Sequence, residues 1–148
     1  MDENTPEPQS TVFDIDEHLS EVTDDVRSLI TVGYVEQTYH FGGHSFLLAT
    51  PKHAAEIAVM QIISEYDGAM AQGKALQAAQ IAAALKLVDG RELYVPLAKD
   101  ESPAIYVRKQ FHEISNNWHE PLIEVVHDFW RDLKMRQAEA VADLTSKS

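Results

Sequence analysis

Apolar and polar residues alternate on both sides of a Gly-Gly pair in the stretch YVEQTYHFGGHSFLLAT, residues 34–50. The apolar positions of this pattern are Val35, Tyr39, Phe41, Phe46 and Leu48. A period of two is typical of a half-buried strand. Glycine adopts the positive φ angles of a two-residue turn at little cost. The pattern therefore predicts a β-hairpin that turns at Gly42 and Gly43.

Four later segments have apolar residues at three- and four-residue spacing, the pattern of amphipathic helices. They cover residues 51–66, 74–88, 104–116 and 121–135. Thr50-Pro51 and Ser102-Pro103 precede two of them, and a hydroxyl N-cap followed by proline is a common helix start. The helix over 74–88 is rich in alanine, so we expect it to be buried between other elements. Residues 70–73 are expected to form a loop or a frayed turn, and the segment around Pro96 an extended stretch.

Together these patterns predict a mainly α protein with a small N-terminal β-hairpin, an α+β fold with a bundle of about four helices after the hairpin. Residues 1–15 are polar and acidic, so we expect a disordered leader. A short helix is expected over residues 16–29. One hairpin-plus-helical domain would cover residues 16–137. The apolar stripe thins beyond it, which predicts a frayed tail over residues 138–148.

Acidic residues are concentrated at the start of a chain whose formal net charge is −12. The first 30 residues hold nine acids and one base, and the other 118 hold fifteen acids and eleven bases. Binding to phosphate requires clustered lysine and arginine, so we expect no nucleic acid and no membrane surface as a partner. No apolar run reaches the roughly 18 residues of a membrane span, and the start MDENTPEPQS is not a signal peptide. The acidic leader favours basic partners.

Two of the seven histidines flank the predicted turn. In a hairpin that turns on the two glycines, Phe41 pairs with His44 and His40 pairs with Ser45. Paired residues share a face and successive residues alternate. The two histidines therefore point to opposite faces and cannot bind one metal ion together.

Three further histidines, at positions 112, 119 and 127, follow at spacings of seven and eight. Pro121 interrupts the helix that would align them. The chain has no cysteine and contains no HExxH, GxSxG or phosphate-loop motif. We expect no catalytic residue, no metal, no cofactor and no enzymatic activity.

Aromatic residues are the remaining candidates for a functional surface. One group lies on one face of the hairpin and a second in the last third of the chain. The six residues are Tyr39, Phe41, Phe46, Trp118, Phe129 and Trp130. Aromatic residues at these spacings either pack in the core or form a hydrophobic surface for a partner helix.

The order of these segments resembles a known family. DDVRSLITVGYVEQTYHFGGHSFLLATP places a short acidic lead and a Gly-Tyr strand before the Gly-Gly hairpin and a helix. KLVDGRELYVP ends an alanine-rich helix in Asp-Gly, and FHEISNNWHEPLIEVVHDFW leads into an aromatic helix. Over roughly residues 20–135, the chain resembles the small tail assembly chaperones of long-tailed bacteriophages.

The resemblance implies a non-enzymatic role in virion assembly in the host cytoplasm. Proteins of this family bind the long helical tape measure protein, keep it soluble and promote assembly of the tail tube subunits. They are absent from the finished virion, and the family often makes a longer product by ribosomal frameshifting. A homo-oligomer is left open.

Two other functions fit the same patterns. The first is a minor structural virion protein, such as a head-tail adaptor or tail completion protein, which would remain in purified particles. The second is an acidic inhibitor or regulatory protein that binds a basic partner. Its binding would depend on salt and on residues 1–30.

Overall fold

The computed structural model describes residues 29–93 and 101–146. The chain divides into two compact units, Met1–Val32 and Gly33–Ser148. In the first unit Leu29 and Ile30 are helical, and the Val32 N–H donates to the Leu29 carbonyl (3.1 Å). The predicted leader, most of the predicted helix over 16–29 and the stretch around Pro96 lie outside the described residues. All elements described below belong to the second unit.

The second unit begins with the predicted hairpin, formed by β1 (Glu36–Phe41) and β2 (His44–Ala49). The strands pair antiparallel over their whole length. Gly42 has φ +61° and Gly43 has φ +81°. Positive φ at both central residues defines the turn whose twist matches that of the flanking strands. The hairpin prediction is confirmed.

A third strand, β3 (Leu85–Val88), pairs antiparallel with β2, so the sheet order is β1-β2-β3. It follows directly on α2 (Ala69–Ala84). The predicted helix over 74–88 is therefore wrong at its end, because its last four residues form a strand. The predicted loop over 70–73 is also wrong, because these residues lie in α2.

Gln110 supplies hydrogen-bond donors at the change from helix to strand after Ala84. The buried amide of Gln110 donates to the carbonyls of Ala82 (2.9 Å) and Leu85 (2.8 Å). These carbonyls lie where the helical ladder ends and its acceptors need other donors. Beyond the junction, Leu85 is buried and Lys86 is exposed, which is the alternation of a strand.

Three more helices complete the unit: α1 (His53–Ile63), α3 (Pro103–Asn117) and α4 (Glu120–Ser146). Ser102 caps α3 as predicted, because its side chain accepts the Ile105 N–H (3.3 Å). α4 is continuous to Ser146, where a frayed segment was expected from residue 138. Its buried residues end at Leu133, and residues 141–146 are all exposed.

Thr50 does not cap α1, and this prediction is wrong. α1 begins at His53, and its N-cap residue Lys52 makes no side-chain capping bond. The buried Thr50 hydroxyl instead accepts the Val35 N–H (2.9 Å) and donates to the Gly33 carbonyl (2.9 Å). Thr50 therefore ties the end of β2 to the chain that leads into β1.

α2 lies at the centre of the unit and packs against α1, α3 and α4. Its buried positions are mostly alanine, namely Ala75, Ala78, Ala79, Ala82 and Ala84, together with Ile81. Small side chains allow three neighbours to approach one helix closely. The expected burial of this helix and the expected fold class, mainly α with an N-terminal hairpin, are both confirmed. Within the described residues, no helix combines the length and apolarity of a membrane span.

Candidate partner-binding surface

The two predicted aromatic groups meet in one cluster between the hairpin and α4. The ring of Tyr39 stacks on that of Phe129, with centroids 4.8 Å apart and planes 7° apart. Phe46 lies 6.1 Å from Phe129 and 6.3 Å from Trp118, centroid to centroid. The hairpin register explains the contact, because Tyr39 and Phe46 are cross-strand partners and share a face.

A polar bond beside the cluster fixes the hairpin to α4. The Tyr39 hydroxyl donates to Asp132 (2.7 Å), which also accepts from Nε of Arg136 (2.7 Å). Burial, and then the bond to Asp132, raise the pKa of Tyr39 to about 12. Arg136, and then Tyr39, lower the pKa of Asp132. The aromatic cluster is therefore a packing element that joins sheet and helix.

Accessibility divides the six predicted aromatic residues. Phe46 is only 3% exposed and belongs to the core. Tyr39, Trp118 and Phe129 are partly buried and pack against the core. Phe41 is 48% exposed at the end of β1. Trp130, also partly buried, faces a groove on another part of the unit.

The groove beside Trp130, called the Trp130 groove below, opens between α1 and α4 above α2. Its floor is a stripe of α2 at spacings of four and three residues, Leu76, Gln80 and Ala83. Val59 and Met60 of α1 form one wall, and Trp130 of α4 forms the other. The volume is about 270 Å³. The groove is an open apolar slot between two helices that both pack on a third.

Charged and apolar side chains surround the mouth of this groove. Glu56 of α1 and Lys134 of α4 approach to 3.5 Å across it. Met60 is 63% exposed and Ile57, one turn earlier on α1, is 46% exposed. Exposed apolar side chains beside a groove are typical of protein-binding surfaces.

His127 supports the Trp130 wall from within the protein. Its ring stacks on the indole, with centroids 5.0 Å apart and planes 11° apart. Nε2 donates to Oε1 of Gln80 (2.7 Å), whereas the buried Nδ1 has no partner among the described residues. Burial, and then the nearby charge of Arg131, lower the pKa of His127. The ring is therefore held neutral beneath the groove.

The histidines near the turn are arranged as predicted, on opposite faces of the hairpin. Nδ1 of His44 lies 2.6 Å from Oδ2 of Asp89, and Oδ1 of Asp89 accepts the Ser45 N–H (2.8 Å). His44, and then the Ser45 N–H, lower the pKa of Asp89. This exposed pair ties the turn of the hairpin to the residue after β3.

The later histidines do not converge either. His112 and His119 are exposed, while His127 is buried. Within residues 29–93 and 101–146, no three side chains of His, Asp or Glu are grouped to hold a metal ion.

We found no match to this chain among protein-family models, curated proteins or solved structures.

Sequence reasoning included Trp130 and missed the rest of the groove. Met60 follows Val59 on α1, and only the packing of the helices shows which of the two is exposed. Gln80 and His127 are 47 positions apart, and no sequence pattern links them. An apolar Met on the polar side of an amphipathic helix is the one signal that could have indicated this wall.

Proposed function

We propose that this protein is a non-enzymatic tail assembly chaperone of a long-tailed bacteriophage. In this proposal it binds a helical segment of the tape measure protein at the Trp130 groove. The observation that carries the proposal is the groove itself, with apolar walls on two helices and a mouth crossed by the exposed Glu56–Lys134 contact, which a docked helix would displace. Amphipathic helices dock in such grooves through apolar side chains at i, i+3, i+4 and i+7.

The dimensions of the groove suit a few side chains of a docked helix, whose backbone would lie outside the groove. Its floor runs from Leu76 to Ala83, seven residues along α2. At 1.5 Å of rise per residue this is about 10 Å, or about two turns of a docked helix. Burial of the exposed Met60 against such a helix removes apolar surface from water, at about 25 cal/mol per Å².

The choice of client rests on the resemblance of residues 20–135 to tail assembly chaperones. A long helical tape measure protein exposes apolar stripes that aggregate unless they are covered. A protein that covers them in the host cytoplasm would keep the client soluble until tail tube subunits assemble around it. The net charge of −12 favours solubility of the complex.

The test is co-expression of the tape measure protein with the wild-type protein or with a groove variant. Met60→Glu places a charge on the groove wall, at a side chain that is already 63% exposed. Met70→Glu makes the same change at a methionine that is 80% exposed and outside the groove. We expect the wild-type protein and Met70→Glu to raise the soluble yield of the client, and Met60→Glu to lose this effect.

Each failure has a separate meaning. A client yield that does not respond to the wild-type protein would refute the chaperone function. A normal effect of Met60→Glu would refute the Trp130 groove as the binding site. Circular dichroism of both variants checks that their helices are intact.

A further inference from the structure

β1 is an edge of the three-stranded sheet, and no strand of the described residues pairs with its outer side. In a hairpin with a two-residue turn, the two residues that flank the turn form a hydrogen-bonded pair, and hydrogen-bonded pairs then recur at every second position along the strands. Here these pairs are Phe41–His44, Tyr39–Phe46 and Gln37–Leu48. The residues between them direct their backbone N–H and C=O groups away from β2. In β1 these are Glu36, Thr38 and His40, whose side chains are exposed. The side-chain amide of Gln37 makes a long contact with the Thr38 carbonyl (3.4 Å). The other outward-facing backbone groups of Glu36, Thr38 and His40 have no partner in the described part of the chain.

Glu36 is the charged residue of β1, and the stronger blocking features of edge strands do not occur within the strand itself. Edge strands are commonly blocked by lysine, proline or a bulge, and EQTYHF contains neither residue. The irregularity of the sheet lies between β2 and β3, at Leu47 and Leu48. The opposite edge, by contrast, carries Lys86, and Arg91 forms a bridge to Val88 there. β1 is therefore the edge on which another strand can pair.

We propose that β1 is a homodimer interface, in which two copies of this chain pair their β1 strands antiparallel about a two-fold axis at Thr38. The two sheets would then form one continuous six-stranded sheet. A two-fold axis requires the same residues on both sides. The register centred on Thr38 is the one that pairs all three outward-facing residues with outward-facing residues of the second copy. It adds six backbone hydrogen bonds.

The polar side chains of the exposed face fit this register. Glu36 of one copy lies opposite His40 of the other, and the symmetry produces this pair twice. A carboxylate and an imidazole placed directly opposite each other can share a hydrogen bond, whereas like charges on opposed residues destabilise antiparallel strands. The Glu36 carboxylate already accepts a bond from the Tyr34 hydroxyl of its own chain (2.6 Å), which holds it beside the edge.

The apolar residues of the other face fit as well. Phe41 is 48% exposed at the end of β1. In the register centred on Thr38 it lies opposite Val35 of the second copy, which is half-buried and packs against the core. This pair is of the non-hydrogen-bonded type, in which side chains approach most closely. Dimer formation would thus cover Phe41, and this interface is separate from the Trp130 groove.

The test measures the mass of the full chain in solution by sedimentation equilibrium over a range of concentrations. The chain mass is 16.6 kDa, and we expect a species of twice that mass. His40→Glu would place two like-charged pairs in the interface and weaken the dimer by about tenfold in Kd. The double variant Glu36→Lys, His40→Glu places a lysine opposite each glutamate and should restore the dimer.

Two further variants separate this interface from others. His53→Glu makes the same change at an exposed histidine on α1 and should leave the dimer unchanged. Thr38→Pro removes an N–H that faces outward, which an edge strand tolerates, and should yield a monomer with an unchanged circular dichroism spectrum. If Thr38→Pro unfolds the chain, the interface is tested by His40→Glu and the double variant Glu36→Lys, His40→Glu alone.

Three results would overturn the proposal. The first is a monomer at all concentrations up to about 100 μM, the range in which weak homodimers form. The second is a dimer that tolerates His40→Glu. The third is a double variant that stays as weak as His40→Glu alone.

Discussion

Buried polar side chains stabilise this protein at the places where its regular backbone bonding stops. Gln110 satisfies two carbonyls at the end of α2. Thr50 makes the same kind of contact where the chain enters and leaves the hairpin. His127 is a buried polar residue of another kind, because it lies in the middle of α4 and its ring sits between Gln80 and the indole of Trp130. An unpaired buried polar atom costs more than a bond gains, so these residues are expected to be sensitive to substitution.

Gln110→Met keeps the size of the side chain and removes its amide. The carbonyls of Ala82 and Leu85 then lose their donor in a dry site, and the Tyr106 hydroxyl loses an acceptor. We expect a loss of about 2–4 kcal/mol in the free energy of unfolding, measured by urea denaturation. Gln61→Met, at an exposed position of α1, is the matched control and should change stability by less than about 0.5 kcal/mol.

His127 makes the stability depend on pH in a defined direction. Its pKa is lowered in the folded state by burial and then by Arg131, against about 6.5 in the unfolded chain. Below pH 6.5 the unfolded chain therefore binds more protons at this residue, and stability falls until the folded pKa is passed. We expect His127→Asn to reduce this slope in urea titrations between pH 7.5 and 5. A slope that is the same in His127→Asn as in the wild-type protein would contradict this assignment.

At the scale of elements, local signals predicted the hairpin and the helices, and long-range contacts decided the rest. The alternation and the two glycines set the hairpin register without help from other elements. β3 could not be separated from α2 in the same way, because Leu85, Leu87 and Val88 continue an apolar run that also fits a helix. The end of the helix coincides with a contact to Gln110, 25 residues further along the chain, whose side-chain amide donates to the Leu85 carbonyl. The strand period at Leu85 and Lys86 was the only local sign.

Two glycines provide opposite tests of this view. Gly43 has φ +81°, so Gly43→Ala forces a side chain into the left-handed region and should cost about 1–2 kcal/mol. Gly73 lies inside α2, and an added Cβ there meets no atom within 4 Å of the described structure. Gly73→Ala should therefore stabilise the protein by about 0.5–1 kcal/mol. Thermal melts of both variants measure the difference, and a stabilising Gly43→Ala would contradict the turn.

At the scale of the second unit, the aromatic residues predicted as a possible partner surface mostly hold the fold together. Core packing was one of the two interpretations of both groups, and the structure shows that they pack against each other. Their meeting could not be predicted, because Tyr39 and Phe129 are 90 positions apart. The groove is formed by residues of three helices, so apart from Trp130 it could not be predicted from the sequence either. A surface formed by several elements has no periodicity in the sequence.

Phe129→Ala tests the joint between sheet and helices. The substitution removes the ring that contacts both Tyr39 and Phe46. We expect a loss of about 2–4 kcal/mol, since the ring is partly buried. Far-UV circular dichroism and tryptophan fluorescence should still report one common urea transition at a lower midpoint. Two separate transitions would show that hairpin and helices fold independently, contrary to the packing described here.

No loop residue separates α2 from β3, because the helix ends at Ala84 and the strand begins at Leu85. An insertion of one residue at this point would turn Leu85 toward solvent and Lys86 toward the core, because strand side chains alternate. Homologous chains should therefore vary in length elsewhere and keep a constant spacing from the alanine-rich helix to the Asp-Gly pair. A library of single-residue insertions across residues 80–90 would reveal this as a narrow zone of intolerance.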